Sequence, residues 1–89
     1  MKNPLTVEQS RSIVADYFNA AEQGGINFSL MAELMGVTRQ MINEYKRGCI
    51  PTEGNLYIMS QLTQKINQAV KAGKLPVTYK GMIFSILKV

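Results

Sequence analysis

Apolar side chains recur at three- and four-residue spacing through most of this 89-residue chain, and that period predicts a set of amphipathic helices. The first helix is expected after residues 6–9 (TVEQ), a capping box whose side chains satisfy the first backbone amides. Its apolar face continues to Ala21. Gly24 and Gly25 are expected to end it, because glycine adopts the left-handed conformation at little cost.

Three further helices are predicted from the same period and from the residues that begin and end them. Asparagine and threonine are favoured N-caps because their side-chain oxygens accept hydrogen bonds from exposed amides. Glycine is again the expected residue where each of these helices stops. The predicted N-caps are Asn27 and Thr38, and Pro51 and Thr52 are expected to open the last of the three helices; the predicted ends lie near Met35, Arg47 and Gly73.

Residues 77–89 (VTYKGMIFSILKV) are rich in β-branched and aromatic side chains, a composition typical of strands. It predicts strands over residues 77–79 and 82–89, which can pair as a hairpin. A short terminal helix over residues 82–87 is the alternative. The predicted fold is therefore mostly α, with four or five helices and a short C-terminal β strand or hairpin.

Residues 32–47 (AELMGVTRQMINEYKR) place a Gly-Val pair between two helical segments. A sharp turn between crossing helices needs a left-handed residue, which Gly36 supplies, and a small side chain, which Ala32 supplies. Three further apolar residues are expected to face the first two helices, namely Val37, Ile42 and Tyr45. The pattern predicts a helix-turn-helix over residues 28–47. The alternative is an ordinary pair of helices that packs and binds nothing.

Composition excludes several kinds of catalytic and metal site. The chain has no histidine and a single cysteine, Cys49, so neither a Cys/His zinc site nor a histidine-based catalytic triad can form. Its six acidic residues are scattered, and no Ser-x-x-Lys sequence is present. We therefore expect no enzymatic activity and no cofactor. Without a separate effector domain, we also expect no small-molecule ligand.

Hydropathy predicts a folded protein outside the membrane. Apolar residues make up 46% of the chain and charged residues 18%, which favours a packed core over disorder. No apolar run approaches the roughly 18 residues of a membrane span. The N-terminal MKNPLTVEQS lacks the apolar core of a signal peptide, so we expect a cytoplasmic location.

The net charge of +4 is unevenly distributed. Residues 1–54 hold five basic and six acidic residues, a net charge of −1, whereas residues 55–89 hold five lysines and no acidic residue, a net charge of +5. An excess of lysine favours a polyanionic partner. A solvated lysine surface is the alternative.

The segment GVTRQMINEYKRG, followed by Pro51, resembles the helix-turn-helix core of the lambda-repressor/Cro superfamily. The resemblance in layout covers roughly residues 6–72. Residues 36–43 are especially similar to Cro proteins, and residues 45–51 resemble the CII activators of lambdoid phages.

This resemblance implies one DNA-binding domain over residues 1–89, with a C-terminal dimerisation arm over residues 74–89. The setting it implies is a phage or bacterial regulator. Many members of the superfamily begin the second helix with a phosphate-binding glutamine, and this chain has Phe28 there. Ser29, or the amide end of that helix, is then expected to bind the phosphate.

The resemblance and the helical spacing together predict which side chains contact DNA. With Ile42 and Tyr45 facing inward, the opposite face of the third helix would enter the major groove. There Arg39 can pair with guanine and Gln40 with adenine. A solvated helix surface is the alternative for the whole set. The predicted base contacts are Thr38, Arg39, Gln40, Asn43 and Glu44, and the predicted backbone contacts are Ser29, Lys46 and Arg47.

A single recognition helix covers only about four or five base pairs, so a homodimer on a two-fold operator is expected. The predicted dimer residues come from the apolar tail. The alternative is that this tail folds over its own first and fourth helices. The predicted function is sequence-specific binding of double-stranded DNA by a Cro-type repressor. A CII-like activator and a protein-interaction module (an antitoxin or an anti-repressor) are the alternatives. The predicted dimer residues are Met82, Ile83, Phe84, Ile86 and Leu87.

Overall fold

The described part of the chain consists of helices joined by short turns. The computed structural model describes residues 5–76 and 80–87, which form five helices and no strand. None of these five helices is long and apolar enough to cross a membrane. The prediction of a mostly α fold is confirmed. The helices are α1 (Val7–Gln23), α2 (Phe28–Met35), α3 (Arg39–Lys46), α4 (Glu53–Lys71) and α5 (Lys80–Leu87).

The residues predicted to begin the helices do so through side-chain hydrogen bonds. In the capping box of α1, the Gln9 amide donates to Thr6 Oγ1 at 3.0 Å and the Thr6 amide donates to Gln9 Oε1 at 2.9 Å. Amides in the first turn have no intrahelical acceptor, so each such bond satisfies an otherwise unpaired donor. The other caps accept from the third residue along: Asn27 Oδ1 from Leu30 at 2.9 Å, Thr38 Oγ1 from Met41 at 3.2 Å and Thr52 Oγ1 from Asn55 at 3.3 Å.

Replacing Gly36 with alanine is expected to destabilise the domain by about 1 kcal/mol. Gly36 ends α2 at φ 74°, where a methyl group is strained even though, among the described residues beyond its two chain neighbours, no atom lies within 4 Å of the methyl position. Gly54, in the first turn of α4, has the same free space and no positive φ. Gly54→Ala should therefore leave stability unchanged or raise it slightly. Urea unfolding compares the two variants, and equal losses would contradict a conformational role for Gly36.

The core lies where α1 and α4 pack against each other. Helix α2 contacts both α3 and α4, and α5 contacts α4. The apolar faces predicted from the sequence supply this core, and every helix contributes to it. The largest side chains buried within it are Tyr17, Met31, Ile42, Met59, Leu62, Ile66 and Leu87.

Tyr17 is a polar group placed inside this core. Its ring is fully buried, and its hydroxyl donates to the Met31 carbonyl at 3.1 Å, which joins α1 to α2. Burial raises the pKa of the Tyr17 hydroxyl, because the charged phenolate is poorly solvated there. The folded state therefore holds the neutral form more strongly than the unfolded chain does.

Tyr17→Phe is expected to lower stability at neutral pH by about 0.5–1.5 kcal/mol, the net value of one hydrogen bond. Because the folded pKa is raised, the contribution of the neutral hydroxyl is complete below about pH 10 and is lost as the pH rises further. The wild type should therefore lose stability more steeply than the variant above pH 10. Urea unfolding from pH 7 to pH 11 measures this, with Tyr57→Phe as the exposed control. Parallel pH curves for wild type and Tyr17→Phe would contradict the expectation.

Helix α5 overturns the predicted C-terminal strand. Residues 82–87 are helical, so the strand predicted over residues 82–89 is wrong there and the alternative of a terminal helix is confirmed. Ile83 and Leu87 lie one helical turn apart and are only 2% and 1% exposed, whereas Ser85 is exposed. A strand would place all three on one face, so the helix buries the two apolar side chains without the serine. The strand predicted over residues 77–79 lies outside the described residues.

Candidate nucleic-acid interface

Three residues separate α2 from α3, and backbone hydrogen bonds close the turn between them. The Gly36 amide donates to the Glu33 carbonyl at 3.2 Å, and the Val37 amide donates to the Ala32 carbonyl at 3.0 Å. Left-handed Gly36 directs the chain out of α2, and Thr38 caps α3 two residues later. The sharp turn predicted at Gly36 is confirmed.

Buried contacts hold α3 in one orientation. Ile42 is fully buried and Tyr45 is 4% exposed, as predicted from their spacing. Asn55 Nδ2 donates to the Tyr45 hydroxyl at 3.2 Å, which ties α3 to the first turns of α4. Because its inner face is held in this way, α3 presents its opposite face to solvent.

That outer face is polar and basic, and it carries most of the predicted base contacts. Arg39, Gln40 and Asn43 are exposed, and Glu44 is half-buried at the edge. Thr38 is exposed, and its Oγ1 already accepts the Met41 amide, so its hydroxyl hydrogen and methyl group are what it can offer a ligand. These predicted residues are therefore brought together on one short helix.

The helical spacing divides the outer face into two adjacent stripes. Gln40 and Arg47 belong to the stripe opposite the buried residues. Arg39 and Lys46 belong to the stripe beside α1 and α2, and both line a cleft between these helices and α3. Lys46 Nζ lies 5.1 Å from the centroid of the Phe18 ring on α1, a cation–π contact.

The other predicted backbone contacts lie at the ends of helices. Arg47 is the exposed C-cap residue of α3, where positive charge also complements the helix dipole. Ser29 is exposed in the first turn of α2. The amides at the N-terminal end of α2 carry partial positive charge, so this end of the helix is chemically suited to a phosphate oxygen.

Phe28, the first residue of α2, packs on α1. Its ring meets the edge of the Phe18 ring, with centroids 5.5 Å apart and an interplanar angle of 73°. Such edge-to-face pairs are favourable beyond the area they bury. Phe28 therefore anchors the start of α2 to α1 by an apolar contact.

Three contacts of this region were missed by the sequence analysis. The hydrogen bonds of Tyr17 and Asn55, and the position of Lys46 over Phe18, all join residues far apart in the chain. Helical spacing marks only which side chains share a face. No local signal could have identified these partners.

Comparison of the chain with models of protein families, with curated proteins and with solved structures finds no match in any of the three. What the surface of α3 can do is therefore inferred from its geometry and its chemistry.

Proposed function

We propose that this chain is a sequence-specific DNA-binding regulator whose residues 28–47 act as a helix-turn-helix. The observation that carries the proposal is the division of α3 into a locked apolar face, with Ile42 and Tyr45, and an exposed polar and basic face. A short helix of this kind fits the major groove, where base edges present distinct patterns of hydrogen-bond donors and acceptors. No enzymatic step and no cofactor is needed for this activity.

The positions of the side chains suggest different roles in such a complex. Gln40 lies at the first turn and on the central stripe of the outer face, where it can pair bidentately with adenine. Asn43, one turn later, can reach the next base or a phosphate. Arg39 can reach guanine from the neighbouring stripe, and Lys46 and Arg47 then neutralise phosphates without sequence preference. Thr38 and Glu44 flank the bases, with Ser29 at a phosphate.

Net charge supports the same proposal. Residues 55–89 carry five lysines and no acidic residue. Within the described part of α4 and the turn after it, Lys71 and Lys74 are exposed. An excess of positive charge raises the rate of encounter with DNA and the salt dependence of binding.

The proposal includes a homodimer that places two copies of α3 on a two-fold operator. Ile83 and Leu87 are buried in the core of their own chain, so they are not available to a partner. Of the predicted dimer residues, Met82 is 50% exposed and Phe84 and Ile86 are half-buried. A dimer through the tail would therefore use the outer side of α5 instead of paired strands. Such a dimer suits a Cro-type repressor.

Met82→Asp is expected to shift a dimer of this kind toward monomer, because it places a charge in the apolar interface. Met82 is exposed within the chain, so the free energy of unfolding of the monomer should change by less than about 0.5 kcal/mol. Sedimentation velocity over a range of protein concentrations measures the association. Ser85→Asp, at an exposed polar position of the same helix, is a matched control. If Met82→Asp dimerises as strongly as the wild type, the dimer interface does not lie on the outer side of α5.

Selection of binding sites from random DNA duplexes tests the function directly. An inverted repeat supports a two-fold repressor. A direct repeat favours a CII-like activator, the alternative suggested by the resemblance of residues 45–51 to CII activators. If no motif is enriched, and the protein retains no more DNA than an unrelated basic protein does, the proposal fails. A protein-interaction module then becomes the better hypothesis.

A further inference from the structure

Two clefts lie next to each other along the surface of α1. The first, of about 250 Å³, lies between α1 and the residues that follow α3. The second, of about 460 Å³, lies between α1, α2 and α3. Phe18, Asn19 and Lys46 line both clefts, so the two lie side by side. We call this surface the α1 groove.

The floor of the α1 groove is apolar. Val14 and Tyr45 line the first cleft, and Ile26 and Met31 line the second, all of them buried. The half-buried ring of Phe18 forms part of both. Concave apolar surfaces of this size accept large side chains of a ligand.

The rim of the α1 groove is mainly positive. Arg11 lines the first cleft, Arg39 the second, and Lys46 the place where they meet; all three are exposed. Among the described residues that line the two clefts, Glu22 is the one acidic residue. The contact of Lys46 Nζ with the Phe18 ring places a positive charge directly over the apolar floor.

We propose that the α1 groove binds an acidic amphipathic segment of a partner protein. Two or three apolar side chains of that segment enter the clefts, and flanking carboxylates pair with Arg11, Lys46 and Arg39. A DNA duplex could pair with the rim, but it offers no side chains to fill the apolar floor. A small anion would likewise leave the floor empty. The combination of two adjacent apolar clefts and a positive rim therefore favours an acidic peptide.

Binding of this segment and binding of DNA exclude each other, because Arg39 and Lys46 belong to both surfaces. This consequence rests on the proposed function, whereas binding of the peptide alone does not. A partner of this kind would release the protein from its operator by occupying the two basic side chains.

Cys49 provides a direct measurement of occupancy. It is exposed, it lines the first cleft, and it is the only cysteine of the chain. The rate at which neutral iodoacetamide alkylates it should fall as a peptide fills the groove. The probe is a synthetic helical peptide with phenylalanine and leucine on one face and glutamate beside them. Its control has glutamine in place of every glutamate.

The glutamate peptide is expected to slow alkylation in a saturable manner, and the glutamine peptide should bind about tenfold more weakly. Arg11→Glu should weaken binding of the glutamate peptide about tenfold at low salt. Arg11 is outside the proposed DNA contacts, so the Arg11→Glu variant should select the same DNA motif as the wild type. Lys71→Glu, at an exposed lysine on α4, is the control and should change peptide binding less than twofold.

Three results would overturn the proposal: no protection of Cys49, equal protection by the two peptides, or no effect of Arg11→Glu. Protection by a random-sequence duplex, with none by the peptide, would assign the groove to DNA instead. The proposed function is tested independently, because the selection of DNA sites is carried out without any peptide. If no DNA motif is selected but the peptide protects Cys49, peptide binding by the α1 groove is supported and sequence-specific DNA binding is rejected.

Discussion

Arg39→Ala and Gln40→Ala are each expected to weaken binding to the selected operator by about 5- to 150-fold per half-site, the value of one lost bidentate contact with a base. Both side chains are exposed, so neither substitution should lower the free energy of unfolding by more than about 0.5 kcal/mol. Gln40→Ala should leave affinity for a scrambled duplex unchanged. Arg39→Ala should weaken that affinity also, because it removes a positive charge. Fluorescence anisotropy with both duplexes, at two salt concentrations, measures these differences.

Two matched variants identify the origin of the effect. Arg39→Lys keeps the charge but loses the planar fork of donors, so it should lose preference for the operator while retaining affinity for the scrambled duplex. Gln64→Ala removes an exposed glutamine from α4 and should have no effect on either duplex. Equal losses on the two duplexes for Gln40→Ala would show that Gln40 does not contact a base.

Ile42→Ala is expected to lower the free energy of unfolding by about 2–5 kcal/mol. Ile42 is fully buried and holds α3 in the core. Its truncation removes apolar contacts and leaves a cavity. Domains of this size have a total stability of only about 5–15 kcal/mol. Thermal unfolding should therefore shift downward by about 10 °C or more.

Ile66→Ala is the matched control for the role of Ile42 in positioning α3. Ile66 is an equally buried isoleucine, but it lies on α4. Both variants should lose similar stability. At a temperature where both remain folded, only Ile42→Ala should also lose affinity for the operator, because it loosens the helix proposed to contact bases. Equal affinities for the two variants would mean that α3 keeps its position without Ile42.

The ends of the helices could be predicted from the sequence because capping is local. Asn27, Thr38 and Thr52 each accept an amide three residues along. The left-handed residue at the end of α2 is likewise decided at one position, Gly36. Hydrogen bonds and backbone conformations of this kind depend on adjacent residues, so tertiary partners hardly alter them.

The candidate site was predictable in part. With Ile42 and Tyr45 buried, the helical period alone indicates that Arg39, Gln40 and Asn43 are exposed, and the structure confirms their exposure. The period does not indicate which side of the outer face lies next to α1. The groove beside Arg39 depends on the packing of α3 against a helix more than fifteen residues earlier in the chain.

Local patterns along the chain predicted the helical class, the residues that begin four helices, the turn at Gly36 and the polar character of α3. Tertiary structure decided the form of residues 82–87 and the existence of the α1 groove. The tail has side chains compatible with either strand or helix, and contact with α4 favours the helix, which buries Ile83 and Leu87 while leaving Ser85 exposed. Burial depends on surfaces brought together by folding, whereas capping and periodicity depend on residues three or four positions apart.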